Sequence, residues 1–328
     1  MSVRPHRLGL QLHPADKAVF AILLFAVITA FVARGRAGVG ILLLEHVALL
    51  AAYIAFVWAA VKWSRSNWVS YARPLAAMMV IWTLYNTVGR LGMAAMPFRA
   101  DEALSRIDTW IFGGINPAFF AQRWQTPPRV EVFAFFYGLF IPYINLSLVL
   151  GALGRPPVER DQFLTGWVFT YCISYLGYLF LPAHGPGAFL AGQFDVELRG
   201  GFFYAMVVRG VANTGGLIGA FPSLHGGSSL YLCLFDLKTN LLRGLTYVPV
   251  VIMIYGATIM LRYHYVIDLI AGTVIAVSCS FAGRRAFLRW ARRRQEAGLP
   301  ALPGREGDVL SNIPADRVDY AEAVLPAH

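Results

Sequence analysis

The chain has 328 residues, enough for two soluble domains, but only 14% of them are charged and 57% are hydrophobic. Soluble globular proteins carry roughly 25% charged residues, so this composition argues against a water-soluble fold. The formal net charge is +10. Because Lys and Arg fall mostly between apolar blocks, without interleaved aromatic residues, we expect anionic lipid headgroups as their partner and no nucleic acid.

Apolar stretches dominate the chain from the first helix to the last. A helix needs about 20 apolar residues to cross the hydrocarbon of a bilayer. Eight stretches approach that length, near 18–33, 39–61, 72–96, 129–153, 162–181, 222–241, 244–261 and 264–283. We therefore predict an all-α integral membrane protein with about eight transmembrane helices. In chain order, we predict two N-terminal helices in 1–71, a six-helix core in 72–283, and a cytoplasmic tail in 284–328 that is first basic and then disordered.

The segments between the helices predict the orientation. Residues 97–128 mix acidic and aromatic side chains, which is typical of short helices in the headgroup layer, and residues 183–220 form a Gly-rich loop. Cytoplasmic segments are enriched in Lys and Arg, and an arginine cluster follows residue 283. Both termini are therefore predicted to be cytoplasmic, with the Gly-rich loop facing outside. The short loops and the arginine bias are compatible with a bacterial inner membrane, and a Golgi-type membrane stays open as the alternative.

Two histidine motifs open the sixth and eighth predicted helices at the outer face. The first is Phe-Pro-Ser-Leu-His, residues 221–225, and the second runs from Arg262 to Asp268. His264 and Asp268 are four residues apart, a spacing that puts them on one helix face. The carboxylate can hold one imidazole nitrogen and leave the other nucleophilic. His225 is then placed to protonate a leaving alkoxide. The free backbone N–H groups at the first turn of the sixth helix suit the binding of an anionic phosphate.

These motifs resemble the second and third signatures of the type 2 phosphatidic acid phosphatase superfamily. The resemblance implies a six-helix core, a phosphohistidine intermediate on His264, Asp268 as its orienting carboxylate and His225 as general acid and then base. It also implies chemistry without a metal or cofactor, although the same three side chains would suit zinc.

Departures from the superfamily's pattern indicate a different substrate. Arg73-Pro74 has Lys62 at the wrong distance for the Lys and Arg-Pro signature, and Ala257 and Thr258 replace the Ser-Arg of the third signature. Without cationic clamps we expect a phosphodiester, with one negative charge, in place of a phosphate dianion. The sequence resembles more closely the inositol phosphorylceramide synthase branch, whose bacterial relatives have an element similar to residues 181–187.

The expected reaction is transfer of a phospho-headgroup, such as phosphoinositol, from a glycerophospholipid to a lipid alcohol such as ceramide. Candidate substrate-binding residues are Ser223, Arg262, His184, Gly185 and Arg209. Arg262 is open to a second interpretation, a snorkelling side chain, and His184 to that of an ordinary loop residue. Two other functions stay open: hydrolysis of a lipid phosphate or diphosphate, and proton-coupled transport with the His and Asp residues as a relay.

Overall fold

The computed structural model describes residues 12–63, 68–213 and 218–299. Within these residues all regular structure is helical, which confirms the all-α prediction. The helices are α1 (Pro14–Val32), α2 (Val39–Lys62), α3 (Trp68–Ala95), α4 (Asp101–Ile111), α5 (Pro117–Ala121), α6 (Pro127–Leu153), α7 (Pro157–Phe180), α8 (Pro186–Phe189), α9 (Phe202–Asn213), α10 (Leu224–Thr239), α11 (Leu241–Met260) and α12 (Val266–Glu296). The tail predicted to be disordered lies almost entirely outside the described residues.

Each of the eight predicted spans is a helix, and six of the described helices are long and apolar enough to cross a membrane. These six are α1, α2, α6, α7, α11 and α12. The remaining two, α3 and α10, are less uniformly apolar. Helix α10 has only 16 residues, short of the about 20 that a span requires. The protein is thus an integral, multi-pass membrane protein.

Helix α7 is the centre of the bundle. In α7, 72% of the span is buried inside the protein, against 22% of the span of α2. Helices α12, α3, α1 and α10 pack against α7, while α10 also packs against α11 and α12. Trp167, Tyr171 and Tyr175 lie fully buried along α7, so large aromatic side chains fill the middle of the bundle.

Two helix starts and one helix end differ from the predicted spans in ways that bear on the site and the tail. Helix α10 begins at Leu224, with Ser223 as its N-cap, and α12 begins at Val266. Pro222 and His264 therefore precede their helices. At its other end α12 continues to Glu296 through the arginine cluster, because arginine is itself a good helix former.

A short helix of the 97–128 segment holds the start of α12. Asp108 of α4 accepts hydrogen bonds from the backbone N–H groups of Val266, at 2.7 Å, and Ile267, at 2.8 Å. The first N–H groups of a helix have no partner within it, so this carboxylate satisfies two of them. Burial raises the pKa of the Asp108 carboxyl, and the two backbone hydrogen bonds oppose that rise.

Candidate active site

The imidazole of His264 is held from behind by two acceptors. Its Nδ1 lies 2.9 Å from the carbonyl oxygen of Ala220 and 3.3 Å from Oδ2 of Asp268. The same Oδ2 accepts the backbone N–H of Tyr265 at 2.9 Å. The four-residue spacing predicted that His264 and Asp268 share one face of a helix. His264 instead precedes α12, and Asp268 reaches it from the first turn of that helix. With its proton on Nδ1, the imidazole presents an unprotonated Nε2.

His225 stands opposite that nitrogen. Its Nδ1 lies 3.4 Å from Nε2 of His264, and its ring stacks on Tyr137 at 4.5 Å and packs against Phe140 at 4.2 Å between centroids. Both histidines are buried. The two histidine motifs, predicted to share the outer face, therefore converge on one point.

The close approach of α10 to α12 places His225. The backbone N–H of Ser223 donates to the carbonyl oxygen of Asp268 at 3.0 Å. A Cβ added to Gly272 of α12 would lie only 2.5 Å from the carbonyl oxygen of Ser223. A residue without a side chain is therefore needed at Gly272 for the two helix starts to touch.

A small cavity opens beside the histidine pair. Its volume is about 60 Å³, well below the roughly 300–1,000 Å³ of a pocket that encloses a drug-sized ligand. It has room for a phosphoryl group but not for lipid chains. None of the described residues that line it is Lys or Arg; they are Tyr85, Asn86, Tyr137, Tyr178, His184, Val211, Ile218, Gly219, Ala220, His225, Tyr263 and His264.

Of the candidate substrate-binding residues, His184 alone is among those that line this cavity. Ser223 is buried, and its Oγ accepts the backbone N–H of Gly226 at 3.2 Å as a helix cap. Gly185 adopts a φ of +94° and packs on the backbone of Tyr263. Arg209 is exposed on α9. These placements leave the roles of all the candidates as predictions.

The guanidinium of Arg262 contacts a loop. It donates to Oε1 of Gln125 and, at 2.7 Å, to the carbonyl oxygen of Val196, and it lies 3.7 Å from the centre of the Phe194 ring. Burial lowers the pKa of Arg262. Its φ of +61° lies in the left-handed region, which is disfavoured for residues with a side chain. The chain turns sharply here, between α11 and His264.

One carboxylate of the site escaped the sequence analysis. Asp101 of α4 is buried and accepts hydrogen bonds from the backbone N–H groups of His184 and Gly185, and from the hydroxyl of Tyr265 at 3.2 Å. Its partners are 83 or more positions away in the chain. The sequence showed only that residues 97–128 contain acidic side chains, and this did not indicate those contacts. Among the described residues, no group of three or more His, Cys, Asp or Glu is placed to hold a metal ion.

Comparison with known proteins defines the class. Residues 102–282 match the PAP2 superfamily, the type 2 phosphatidic acid phosphatases, and this is more than half of the chain. The chain belongs to that superfamily, whose chemistry is that of lipid phosphatases and phosphotransferases.

A curated relative agrees with this assignment. A PA-phosphatase related-family protein of Dictyostelium discoideum is 30% identical over 164 residues, which are 45% of this chain and 30% of the relative. The match thus spans less than a third of the length of that protein. No solved structure matches the chain.

Proposed function

We propose that the protein transfers a phospho-headgroup from a glycerophospholipid to a lipid alcohol through a phosphohistidine on His264. The observation that carries the proposal is the facing histidine pair, with Nε2 of His264 3.4 Å from Nδ1 of His225 and a carboxylate 3.3 Å behind Nδ1 of His264. A nucleophile, a proton donor and an orienting acid are the parts that covalent phosphoryl transfer needs.

In the first step Nε2 of His264 forms a bond to phosphorus, and the bond from phosphorus to the glycerol oxygen breaks. His225, protonated beforehand, gives its proton to the departing oxygen, so that diacylglycerol leaves as a neutral alcohol. Asp268 stabilises the positive charge that develops on the attacking imidazole. In the second step His225, now without that proton, takes the proton of the acceptor hydroxyl as its oxygen bonds to phosphorus. The bond from phosphorus to His264 breaks, and its electron pair returns to Nε2. Acid and base assistance of this kind accelerates reactions by roughly 10²- to 10⁴-fold.

The lining of the cavity favours a diester substrate. None of the described lining residues is Lys or Arg; polar groups there come from tyrosines, histidines and Asn86. A phosphate dianion gains most from bidentate arginine partners, whereas a phosphodiester carries one charge and needs fewer. With phosphatidylinositol as donor and ceramide as acceptor, only the phosphoryl group would occupy this cavity, whose volume is about 60 Å³.

The proposed location is a bacterial inner membrane, with both termini cytoplasmic and the histidine pair near the outer face. The arginines at the end of α12, from Arg284 to Arg294, support this orientation through the positive-inside rule. Donor and acceptor would then reach the site from the outer leaflet.

Hydrolysis of a lipid phosphate is the second candidate function. It is favoured by the superfamily and by the printed description of the Dictyostelium relative, a PA-phosphatase related-family protein. It differs from the first proposal in two respects: the donor is a lipid phosphate, and the acceptor is water.

A single assay separates these functions. Purified protein in detergent is given labelled phosphatidylinositol with and without ceramide, or labelled phosphatidic acid, and the lipid products are separated. We expect diacylglycerol and a ceramide phosphodiester, both lost in His264→Ala, while Asp195→Asn, a change at an exposed carboxylate, keeps full activity.

Release of inorganic phosphate from phosphatidic acid, without headgroup transfer, would favour the phosphatase. Full activity of His264→Ala would contradict both functions. Solute movement in vesicles without consumption of any lipid would indicate the transporter.

A further inference from the structure

The proposed first step needs a proton on His225 before the donor lipid reacts. His225 is buried, with 9% of its surface exposed, and burial disfavours a charged imidazolium. His264, whose Nε2 lies 3.4 Å from Nδ1 of His225, also gains positive charge as it attacks phosphorus. The protonated form of His225 therefore needs stabilisation from its surroundings.

The two histidines differ in what surrounds them. His264 has Oδ2 of Asp268 3.3 Å from its Nδ1. Within the described part of the chain, no carboxylate forms an ion pair or a hydrogen bond with His225. A positive charge on the ring of His225 is therefore stabilised by groups other than an acid.

Two aromatic rings of α6 contact His225. The ring centroid of Tyr137 lies 4.5 Å from that of His225, with 24° between the two planes, so the face of the tyrosine ring is turned towards the imidazole. The ring of Phe140 lies 4.2 Å away between centroids, tilted by 39°. Residues three apart lie on one face of a helix, so a single face of α6 supplies both rings.

The face of an aromatic ring attracts a cation. Its π electrons make the face negative, and a cation within about 6 Å of the ring centroid is stabilised, most strongly where water is excluded. Both rings lie within that distance of the His225 ring. A neutral imidazole gains much less from them, so the two rings favour the protonated form of His225.

The other titratable groups around His225 do not supply a negative charge to it. His184 lines the cavity, and the carboxylate of Asp268 is directed to His264. The remaining groups are tyrosines, which stay neutral near pH 7. Among the described residues, those that line the cavity or pack against α10 include Tyr85, Tyr143, Tyr178, Tyr255 and Tyr263.

We propose that Tyr137 and Phe140 are positioning residues whose ring faces keep His225 protonated, so that the general acid is ready when the donor lipid binds. This inference rests on the proposed two-step reaction. The proton comes from water before the first step, passes to the departing glycerol oxygen, and is recovered from the acceptor hydroxyl in the second step.

The pH dependence of kcat/KM tests this role, with labelled phosphatidylinositol as donor and ceramide as acceptor. On the alkaline side of the profile the rate follows the fraction of His225 that is protonated, and on the acid side it follows the fraction of His264 that is unprotonated. Tyr137→Leu keeps an apolar side chain but removes the ring. We expect kcat/KM to fall about tenfold on the alkaline side and to stay near wild type on the acid side.

Two variants separate the ring from its hydroxyl and from general packing. Tyr137→Phe keeps the ring face, so its pH profile should have the shape of the wild-type profile. Phe136→Leu is the matched control: it removes a neighbouring ring of α6, one that packs against Phe135, and it should match wild type at every pH.

A fluorine series tests the ring face without a change of side-chain shape. Phenylalanines that carry one, two or three ring fluorines are introduced at position 137, and each fluorine makes the face less negative. We expect the alkaline-side kcat/KM to fall stepwise with the number of fluorines, while thermal unfolding stays unchanged.

An equal loss of kcat/KM at every pH in Tyr137→Leu, no loss at all, or a fluorine series without a trend would overturn the role of the rings and leave the proposed function standing. Absence of diacylglycerol release from phosphatidylinositol by wild type would overturn the proposed function and this inference together.

Discussion

One oxygen of the Asp268 carboxylate contacts two nitrogen atoms. Its Oδ2 accepts the backbone N–H of Tyr265 and lies 3.3 Å from Nδ1 of His264. The backbone contact fixes the carboxylate, and the carboxylate fixes the ring. In the proposed mechanism, orientation and charge stabilisation of His264 would thus depend on one side chain in the first turn of α12.

We predict that Asp268→Asn lowers kcat by roughly 10²- to 10⁴-fold, in the range of acid–base assistance, with little change in KM. An asparagine keeps the acceptor for Tyr265 but loses the charge that stabilises the imidazolium and its tautomer. Steady-state kinetics with labelled phosphatidylinositol measure the effect, and Asp195→Asn is the matched control. A raised KM with unchanged kcat would show that Asp268 acts on binding and not on the nucleophile.

At the level of helices, the sequence predicts the spans well and their ends less well. Apolar stretches indicate a helix whatever its neighbours are: all eight stretches are helices, and six of them are long and apolar enough to cross a membrane. The ends depend on partners elsewhere in the chain: α12 begins where Asp108, 158 positions before Val266, binds its first N–H groups. No local pattern contains that information.

The same reason explains which parts of the site were predicted. His225, His264 and Asp268 lie within short motifs, and the structure brings their side chains together, while their catalytic roles stay predictions. Asp101 acts through contacts with a distant loop, and Tyr85 and Asn86 come from α3, outside the superfamily match. Their place in the site follows from helix packing alone.

Helix spacing gives a prediction of its own. Gly272→Ala would put a methyl group 2.5 Å from the carbonyl oxygen of Ser223, so α10 and α12 must move apart, at a cost of about 1–3 kcal/mol. That movement would carry His225 away from His264. We therefore expect a large loss of catalytic rate together with only this modest loss in the free energy of unfolding. The control is Gly210→Ala, where an added Cβ has open space. Equal activity of the two variants, measured beside their thermal unfolding, would argue against a role for this contact.

Over the whole molecule, buried charges attach the two N-terminal helices to the core. Asp16 of α1 accepts hydrogen bonds from Arg73 of α3 and, at 2.9 Å, from the hydroxyl of Tyr53 of α2. Both charged side chains are at most 6% exposed. The prediction of a separate N-terminal pair and core therefore describes helices that are closely packed, although their division into units stays a proposal.

We predict that Asp16→Ala destabilises the protein by about 3–5 kcal/mol, because it leaves the charge of Arg73 buried without its carboxylate. Glu45→Ala is the contrasting control: its ion pair with Arg90 is 3.5 Å long and nearly half exposed, and such pairs contribute at most about 1 kcal/mol. Thermal unfolding in detergent compares the two. Similar loss of stability in both variants would show that the Asp16 pair does not anchor α1.

Trapping the covalent intermediate is the most direct measurement of the mechanism. The protein is mixed with phosphorus-labelled phosphatidylinositol in the absence of acceptor and quenched in alkali. Its peptides are then examined by mass spectrometry. The mechanism predicts a phosphodiester on His264, absent from His264→Ala. Turnover by wild type with the label on another residue, or with no label on the protein at any time, would contradict it.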